Sequence, residues 1–573
     1  MKSKILLFFA LLALCGCDPS LNINSGQAFF KYFKYESNDP YFDSTLLTKG
    51  KIFNPILQGT YPEPSICRKG NDYYMVVSTY SLFPAIPIFH STDLVNWEHI
   101  NYALPTEKEC LNTSLRSNEG IYPPTIRYNK EQDMFYISGT FVGGGGHFII
   151  SSKDPAKKWS TPEYLYGMVG IHASLFFDDD GKTYLIYQSE PNGSEVYYGH
   201  RNIILQDFDL NKNSTIGEKT ILLPLDPNNP YSPKWLEAPH LYKHEGYYYL
   251  TASDGGSLGD WFASCVYRSK DICGPYEPYE NNPILSQRMM PKDRPDPITC
   301  VGHTDFLELA DGRWYVVFQG LRSLNQKGNY VGKETFLLPV TWTEDGWPTV
   351  LEQGVPIPKI IDAPFAGTSY SNNKKYLPHG NVSYYEKFDK DTLANYWGYL
   401  RTPIGKTYTQ NNDEGITIPL SINNFRNVRH MGFICLRVLH NKFSFETSMD
   451  FIPETEQEFA GLAMFLGDKN NIQYGVTLNG KKTTLQLKRT LLEDVLFEDM
   501  VAEIDISNDF YGRILLNIDN YNEEYFTFKY KFRENDDWQI LTDKFSRDYF
   551  DINNPGNHGF MGNIIGIYAS QEE

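Results

Sequence analysis

The stretch LEAPHLYKHEGYYYLTAS, residues 236–253, reads as a short strand, a Glu245-Gly246 turn and a second strand rich in tyrosine. Four more stretches follow the same pattern: YPEPSICRKGNDYYMVVST (61–79), YPPTIRYNKEQDMFYISGT (122–140), IHASLFFDDDGKTYLIYQS (171–189) and GHTDFLELADGRWYVVFQG (302–320). The spacing between copies leaves room for a four-stranded blade and its loops. Five such repeats predict a five-bladed β-propeller over residues 51–359.

Corresponding positions of the five copies hold Glu63, Pro123, His172, Glu237 and His303. In a propeller the first strand of each blade lines the central channel, so these positions should converge around one axis. Four of the five are ionisable, and burying an ionisable group is costly unless it is paired or functional. One such residue would suggest an internal hydrogen-bonded plug. Four at corresponding repeat positions favour a functional site.

The loops between the copies add candidates for ligand contact. Tyr80 and Phe83 fall on a predicted loop after the first copy, where they could face a ligand. Aromatic residues make up 15% of the chain, which favours strands and also suits sugar binding, because flat rings cover the apolar faces of sugars. The glycine run 143–146 resembles a phosphate loop only superficially, since no Lys-Ser/Thr pair and no helix follow it.

The C-terminal part of the chain is predicted to be a second all-β domain. Residues 360–381 are rich in Pro, Gly, Ser and Asn and read as a linker that drapes over the propeller. From residue 382 to 573 strand patterns alternate again, with Asn479-Gly480 as a strong hairpin turn. No helix-length amphipathic segment interrupts them, which predicts a two-sheet β-sandwich without a catalytic constellation of its own.

The N-terminus has the features of an export signal. Lys2 and Lys4 precede the apolar run Ile5 to Leu14, which is too short to span a bilayer. The following Cys15-Gly16-Cys17 resembles a bacterial lipoprotein signal, with residues 1–16 removed and Cys17 lipidated; the alternative is an ordinary secretory peptide with incidental cysteines. We therefore predict a tether over residues 17–50 and a location in the bacterial cell envelope, periplasmic or at the outer-membrane surface.

Charge and cysteine content narrow the functional classes. The net charge of −18 and the lack of a basic patch exclude nucleic acid as an expected partner. The six cysteines beyond the signal are scattered without a CxxC pair, which matches neither a zinc site nor a small disulfide scaffold. Membrane contact is expected only through the lipid anchor.

The motifs resemble glycoside hydrolase family 43, in its branch of β-xylosidases and α-L-arabinofuranosidases with a C-terminal concanavalin A-like sandwich. Similar stretches occur in the same order as NPILQGTYPEPSI (54–66), HSTDLVNW (90–97), GIYPPTIRY (120–128), GKETFLLPVTW (332–342), FDKDTLANYW (388–397) and AGLAMFLGDKNN (460–471). The resemblance implies exo-acting, inverting hydrolysis that removes terminal arabinofuranosyl or xylosyl units from the chain ends of plant polysaccharides or oligosaccharides. It implies no required cofactor.

The same resemblance assigns roles to the central residues. Glu237 matches the general acid, and Glu63 occupies the position of the general base, where the family has Asp. His172 stands where the family has a third Asp, which tunes and orients the acid. A neutral His172 could orient Glu237 through a hydrogen bond, whereas a protonated one would favour the ionised form of Glu237.

Further positions are implied to bind substrate or a cation. Lys333 stands where the branch usually has a substrate-binding Arg, and Tyr80, Phe83 and Tyr122 would line the pocket. His303 matches a histidine that often borders a bound cation, commonly calcium, which makes it a substrate-binding and metal candidate. The sandwich is implied to contribute a loop around Phe560.

The departures from the family pattern leave other functional classes open. A sugar-binding protein that has lost catalysis would explain why three positions changed together, and a structural partner in a surface glycan-uptake complex is a third alternative. The retention of two carboxylates at central positions, Glu63 and Glu237, favours catalysis.

Overall fold

The computed structural model describes residues 21–110, 113–223, 233–291, 293–324, 328–410, 414–492, 496–557 and 559–572. The signal segment and the predicted lipidation site Cys17 lie outside these ranges. The helical elements found within them are short 3-10 turns at Pro40–Phe42, Ser44–Leu46, Arg547–Tyr549 and Pro555–Asn557. None of the helices in the described ranges is long and apolar enough to cross a bilayer.

Five antiparallel sheets, four with four strands and that of blade 4 with five, form the blades of the predicted propeller. Their inner strands are Ser65–Lys69, Gly120–Asn129, Ile171–Phe177, Glu237–His244 and Ile298–Glu308. Each inner strand contacts the next one, and the fifth contacts the first, which closes the ring. The five sequence copies therefore correspond to blades 1 to 5, and the predicted fold class is confirmed.

The remaining strands continue each blade outward. The second strands are Asp72–Val76, Met134–Val142, Thr183–Ser189, Tyr247–Asp254 and Trp314–Arg322. The third strands are Ala85–Ser91, Gly146–Ser152, Asn202–Asp209, Ala263–Ser269 and Lys333–Trp342. The outermost strands are Glu98–Leu104, Glu163–Tyr164, Ser214–Ile221, Glu277–Pro278 and Pro348–Thr349, and Leu285–Ser286 also pairs with the third strand of blade 4.

Two eight-stranded sheets form the predicted sandwich and enclose its apolar core. The first contains Thr409–Gln410, Ile416–Pro419, Gln27–Ser37, Ser383–Glu386, Phe443–Asp450, Arg513–Asp519, Tyr525–Lys531 and Gln539–Ser546. The second contains Leu496–Asp505, Lys482–Leu492, Asn470–Asn479, Glu458–Gly467, Ile564–Gln571, Phe433–Arg437, Gly398–Leu400 and Leu82–Phe83.

The segment predicted as a tether over residues 17–50 contains an internal strand of the sandwich. Gln27–Ser37 pairs on one side with Phe443–Asp450 and on the other with Ile416–Pro419 and Ser383–Glu386. Its inward side chains are Ala28, Phe30, Phe33 and Tyr35, and a register shift between Phe30 and Tyr32 keeps all four in the core. The tether prediction is therefore wrong for this segment, because its apolar face is buried.

The predicted linker, residues 360–381, also begins as regular structure. Ile360–Asp362 pairs antiparallel with Lys51–Phe53, so the two ends of the propeller segment are joined by a two-stranded sheet. Further along, the Leu377 N–H donates to the Trp97 carbonyl over 2.7 Å. The linker thus runs against the propeller, as expected, but its first residues belong to a strand.

A buried ion cluster joins the N-terminal segment, the propeller and the sandwich. The Arg322 guanidinium donates to Asp39 over 2.9 Å and to Glu334 over 2.8 Å, and all three side chains are buried. Asp39 also accepts from the Asn441 N–H of the sandwich over 2.8 Å. Since Glu334 follows Lys333 on the same strand, this cluster fixes the backbone that carries Lys333.

A second buried network ties all five inner strands together below the channel mouth. Arg127 of blade 2 donates to both carboxylate oxygens of Asp305 of blade 5, over 2.8 and 3.0 Å. Asp305 also accepts from the hydroxyls of Ser65 and Tyr242, over 2.6 and 2.7 Å. His240 of blade 4 forms hydrogen bonds through Nδ1 with Arg127 and with the Ser174 hydroxyl of blade 3, so every blade contributes a residue to the network.

Asp305→Asn should lower the free energy of unfolding by about 3 kcal/mol, because it removes the fully buried carboxylate that neutralises the largely buried Arg127 cation. Burial by itself would raise the pKa of Asp305, but Arg127 and the hydrogen bonds hold it at about 2, so the carboxylate is charged at working pH. Urea unfolding measures the change. The exposed Asp311→Asn on the same blade is the control, and equal stability of the two variants would contradict the prediction.

Candidate active site

The site residues lie where the inner strands begin, and their backbones share an unusual conformation. Glu63, His172 and His303 have φ values of 57°, 60° and 56°, and Ala238 beside Glu237 has φ 53°. Register shifts interrupt the inner strands of blades 2 to 5 near the same level. Left-handed backbone at non-glycine residues is uncommon and concentrates at functional sites, where it redirects side chains. Here these side chains converge at the mouth of the channel.

Glu63 is 3% exposed and lies among groups that support its charged form. The Ser78 hydroxyl donates to its Oε2. Burial raises the pKa of Glu63 above its ordinary value, although the Lys333 cation and the hydroxyls of Ser78 and Tyr80 oppose the shift. What distinguishes Glu63 from Glu237 is this hydrogen bond from Ser78, which stabilises its ionised state.

Glu237 has the opposite environment. Its Oε1 is buried and has no hydrogen-bond partner among the described residues, and its Oε2 lies 3.8 Å from His172 Nδ1. Burial, followed by the charge of Glu63, raises the pKa of Glu237 to about 8, although Lys333 and Arg201 oppose the shift. Two carboxyl groups in one site with such different surroundings are the arrangement that separates an acid from a base.

His172 is neutral, and its tautomer follows from a backbone contact. The Ala238 N–H donates to His172 Nδ1 over 3.0 Å, so the ring proton of the neutral imidazole is on Nε2. Burial, with smaller contributions from His240, His147 and Lys333, lowers the pKa of His172 to about 3. Since Nδ1 already accepts a hydrogen bond and lies 3.8 Å from Glu237, His172 does not donate to Glu237 through it, and the expected orienting bond is not made by that nitrogen.

His303 lies between Glu63 and His172. Its ring centroid is 4.8 Å from that of His172, its Nε2 is 3.9 Å from Glu63 Oε1, and its backbone N–H donates to the Ser253 hydroxyl over 2.9 Å. Burial lowers the pKa of His303 well below the ordinary range, so it is neutral as well. The site thus contains two uncharged imidazoles between Glu63 and Glu237.

The donors around His303 do not fit the calcium ion that the resemblance implied. Ligand atoms of His172, Glu237 and His303 lie within 4.8 Å of one another. Calcium takes six to eight oxygen ligands, whereas this group supplies two imidazole nitrogens and one carboxylate. The Nδ1 lone pair of His172 is also engaged by Ala238. We therefore assign no step to a metal.

A loop of the sandwich forms a roof over the site. The Phe560 ring stacks on Tyr80 with 5.7 Å between centroids and meets Tyr122 edge-on at 5.8 Å. Lys333 Nζ lies 5.1 Å from the centre of the same ring and is buried without a hydrogen-bond partner among the described residues. The Phe560 N–H donates to Asn118 Oδ1 over 3.0 Å, which fixes this loop on blade 2.

Phe83 is the one predicted pocket residue that the structure places elsewhere. Leu82–Phe83 forms a strand that pairs with Tyr399 and Leu400 of the sandwich, and the Phe83 ring packs in the apolar core of blades 1 and 2. The prediction assumed a loop that faces the channel. The segment instead forms the edge strand of a sheet in the other domain.

Two residues near Glu237 were missed by the sequence analysis. Arg201 is buried, and its guanidinium lies 4.4 Å from the centre of the Trp235 ring, two residues before Glu237. Trp235 precedes the fourth copy in KWLEAPH, so its position next to the acid was visible in the sequence. Arg201 lies between repeats, and no local pattern pointed to it.

His172→Asp should move the alkaline limb of the pH–activity profile upward by about one pH unit. A second ionised carboxylate close to Glu237 would raise its pKa further by like-charge repulsion. The profile of kcat/KM against pH measures the shift. His172→Asn, which stays neutral and can still accept from the Ala238 N–H, should leave the limb in place; a common shift in both variants would contradict the argument.

A five-bladed propeller with two carboxyl groups in contrasting environments at its mouth has the features of a glycoside hydrolase. Residues 52–348 match the family model "Glycosyl hydrolases family 43", and residues 385–573 match "Beta xylosidase C-terminal Concanavalin A-like domain". The chain belongs to glycosyl hydrolase family 43.

Relatives with known names agree with this assignment. The non-reducing end α-L-arabinofuranosidase of Bacteroides ovatus is 32% identical over 90% of this chain and 91% of its own length. A xylosidase/arabinosidase of Butyrivibrio fibrisolvens is also 32% identical, over 90% of this chain and 95% of its own. The crystal structure of a family 43 protein from a capybara gut metagenome matches with a TM-score of 0.87 at 31% identity. The match covers 95% of this chain and 100% of that protein's chain.

Proposed function

We propose that this chain is an exo-acting, inverting glycoside hydrolase that removes terminal α-L-arabinofuranosyl or β-D-xylosyl units from plant polysaccharides or oligosaccharides. The observation that carries the proposal is the contrast between its two buried carboxyl groups. The pKa of Glu237 is raised to about 8, whereas Lys333 and the Ser78 hydroxyl oppose the rise that burial causes in the pKa of Glu63. Its relatives are named as enzymes for these sugars, which does not favour the alternative of a sugar-binding protein without catalysis.

The mechanism assigns each carboxyl group one proton transfer. Glu63 takes a proton from a water molecule, whose oxygen attacks the anomeric carbon of the terminal sugar. The bond from that carbon to the leaving oxygen breaks, and Glu237 donates its proton to this oxygen. The products are a free sugar and the shortened chain, with the proton now on Glu63. The two carboxyl groups come from different blades, and an inverting enzyme needs about 6.5–9.5 Å between them to seat a water.

The other site residues bind and orient the terminal sugar. The buried Lys333 ammonium lacks a hydrogen-bond partner among the described residues, and sugar hydroxyls would satisfy it. Phe560 of the sandwich and Tyr122 of blade 2 close the pocket. Because Glu63 is 3% exposed and Lys333 2% exposed, the site admits a chain end rather than the middle of a long chain.

Product analysis tests the proposal. The full chain is incubated with arabinoxylan, arabinan and xylo-oligosaccharides, and released sugar is separated from shortened oligosaccharide. Exo action predicts single free pentoses from the first time point, and proton NMR of the fresh product should show an inverted anomeric configuration. Release of internal fragments, or of a product with retained configuration, would reject the corresponding part of the proposal.

The lipid anchor at Cys17 and the location in the cell envelope also remain proposals. Metabolic labelling with radioactive palmitate should label the wild-type chain in cells that process bacterial lipoproteins, but not Cys17→Ala. Equal labelling of both chains would reject lipidation at Cys17.

A further inference from the structure

Two loops of the propeller mouth carry aromatic side chains that project into solvent. Tyr198 follows the second strand of blade 3 and is 74% exposed, and Trp261 follows the second strand of blade 4 and is 63% exposed. Both loops leave their blades at the end where Glu237 begins its strand, because Glu237 pairs with Ser253 near the end of the second strand. Exposed aromatic surface next to a catalytic pocket marks a binding region.

Trp235 joins the two loops. The backbone N–H of Trp235 donates to the Gly199 carbonyl over 2.7 Å. The Tyr198 ring packs edge-on against the Trp235 indole, with 5.4 Å between the ring centroids. Gly199 and Gly256 both lie against the indole of Trp235. A Cβ atom added at Gly256 would be 3.4 Å from the nearest indole atom, and one added at Gly199 would be 2.9 Å from it. The glycines therefore let both loops approach the ring closely. We name Tyr198, Trp235 and Trp261 the aromatic ledge.

The ledge lies on the side of the site from which the leaving group departs. A general acid must reach the oxygen that stays with the leaving group, so the leaving sugar lies beside Glu237. Trp235 is two residues before Glu237, and the Arg201 charge that stacks on Trp235 also acts on Glu237. The roof of Phe560, Tyr80 and Tyr122 is built instead from blades 1 and 2 and the sandwich.

Charge at the ledge indicates the type of sugar. Both guanidinium groups are neutralised: Arg201 by Glu195 and, at 3.6 Å, by Glu190, and Arg288 by Asp254. The Arg288 guanidinium lies 5.9 Å from the Trp261 ring. Cations that already have carboxylate partners have little to offer a uronic acid, and the exposed ring faces suit the apolar face of an uncharged pyranose.

We propose that the aromatic ledge is the binding subsite for a neutral sugar on the leaving-group side, so that the enzyme selects terminal units attached to an oligosaccharide over those attached to a small leaving group. The inference rests on the proposed function and extends it to residues outside the pocket. Each ring that contacts the leaving sugar should contribute roughly fivefold to tenfold in kcat/KM.

Kinetics with two kinds of substrate test the ledge. Tyr198→Ala, Trp261→Ala and the double variant are assayed with an arabinoxylan-derived oligosaccharide and with a glycosyl fluoride of the same terminal sugar, which has no leaving sugar. The oligosaccharide should lose roughly tenfold or more beyond any loss on the fluoride, mainly through KM. Tyr511→Ala, an exposed tyrosine of the sandwich, is the control. Equal losses on both substrates, or no loss in the double variant, would overturn the proposal.

A binding measurement separates this proposal from the proposed function. Calorimetric titration of the oligosaccharide is performed in a Glu237→Gln background, with and without the two ledge substitutions. Weaker binding in the ledge variants supports the ledge even if the wild-type chain shows no turnover, an outcome that would reject the hydrolase alone. Unchanged affinity overturns the ledge even if the wild-type chain is fully active.

Discussion

Glu237→Gln is expected to lower kcat/KM by roughly 10²–10⁴-fold on substrates whose leaving group is a sugar. The amide keeps the size of the side chain but has no proton to give to the leaving oxygen. The same change should remove the alkaline limb of the pH profile. Because the pKa of Glu237 is raised to about 8, the wild-type enzyme is active with Glu237 protonated and loses activity as pH rises through that value.

The leaving group supplies the internal control for this prediction. A glycosyl fluoride needs little help from an acid, so Glu237→Gln should retain much more activity on the fluoride than on the oligosaccharide. Glu245→Gln, at the exposed hairpin turn of the same blade, is the matched control and should behave as the wild type. An alkaline limb that persists in Glu237→Gln would show that another group is the acid.

Glu63→Gln is expected to lower the turnover of both substrates strongly, because every inverting reaction needs a base to activate the water. A loss of roughly 10²–10⁴-fold on the fluoride as well as on the oligosaccharide distinguishes this base from the acid. Steady-state kinetics on the two substrates measure it, and circular dichroism verifies the fold.

The length of the Glu63 side chain can be tested separately. Glu63→Asp introduces the residue type that the resemblance implies for the base, but it withdraws the carboxylate by one methylene from a site built around Ser78 and Lys333. We expect it to be less active than the wild type and more active than Glu63→Gln. Full activity of Glu63→Gln on the fluoride would reject Glu63 as the base.

The propeller and its central residues could be predicted because their signals are local and repeated. Each blade carries its own hairpin pattern, and aligning the five copies was enough to bring Glu63, His172, Glu237 and His303 to one axis. The different environments of Glu63 and Glu237 were harder to predict from the sequence. The tautomer of His172 depends on a backbone N–H of a neighbouring blade, which no side-chain pattern reveals.

The errors in the sequence analysis share one physical cause. Gln27–Ser37 and Leu82–Phe83 are strands whose partners lie hundreds of residues away in the sandwich. The local composition of these segments favours a loop or a tether. They become strands only because they pair with strands far away in the sequence. The aromatic ledge was missed for the related reason that its three rings come from separate loops.

The strand Gln27–Ser37 also determines the order in which the molecule can fold. It leaves the ribosome before the propeller, but its partner Phe443–Asp450 is made only after the propeller is complete. The propeller can close on itself in the meantime, whereas the sandwich must wait for both ends of the chain, and pairing across so long a separation is slow. A fragment of residues 382–573 would lack an internal strand, and a fragment that ends at residue 359 would carry that strand without its partners.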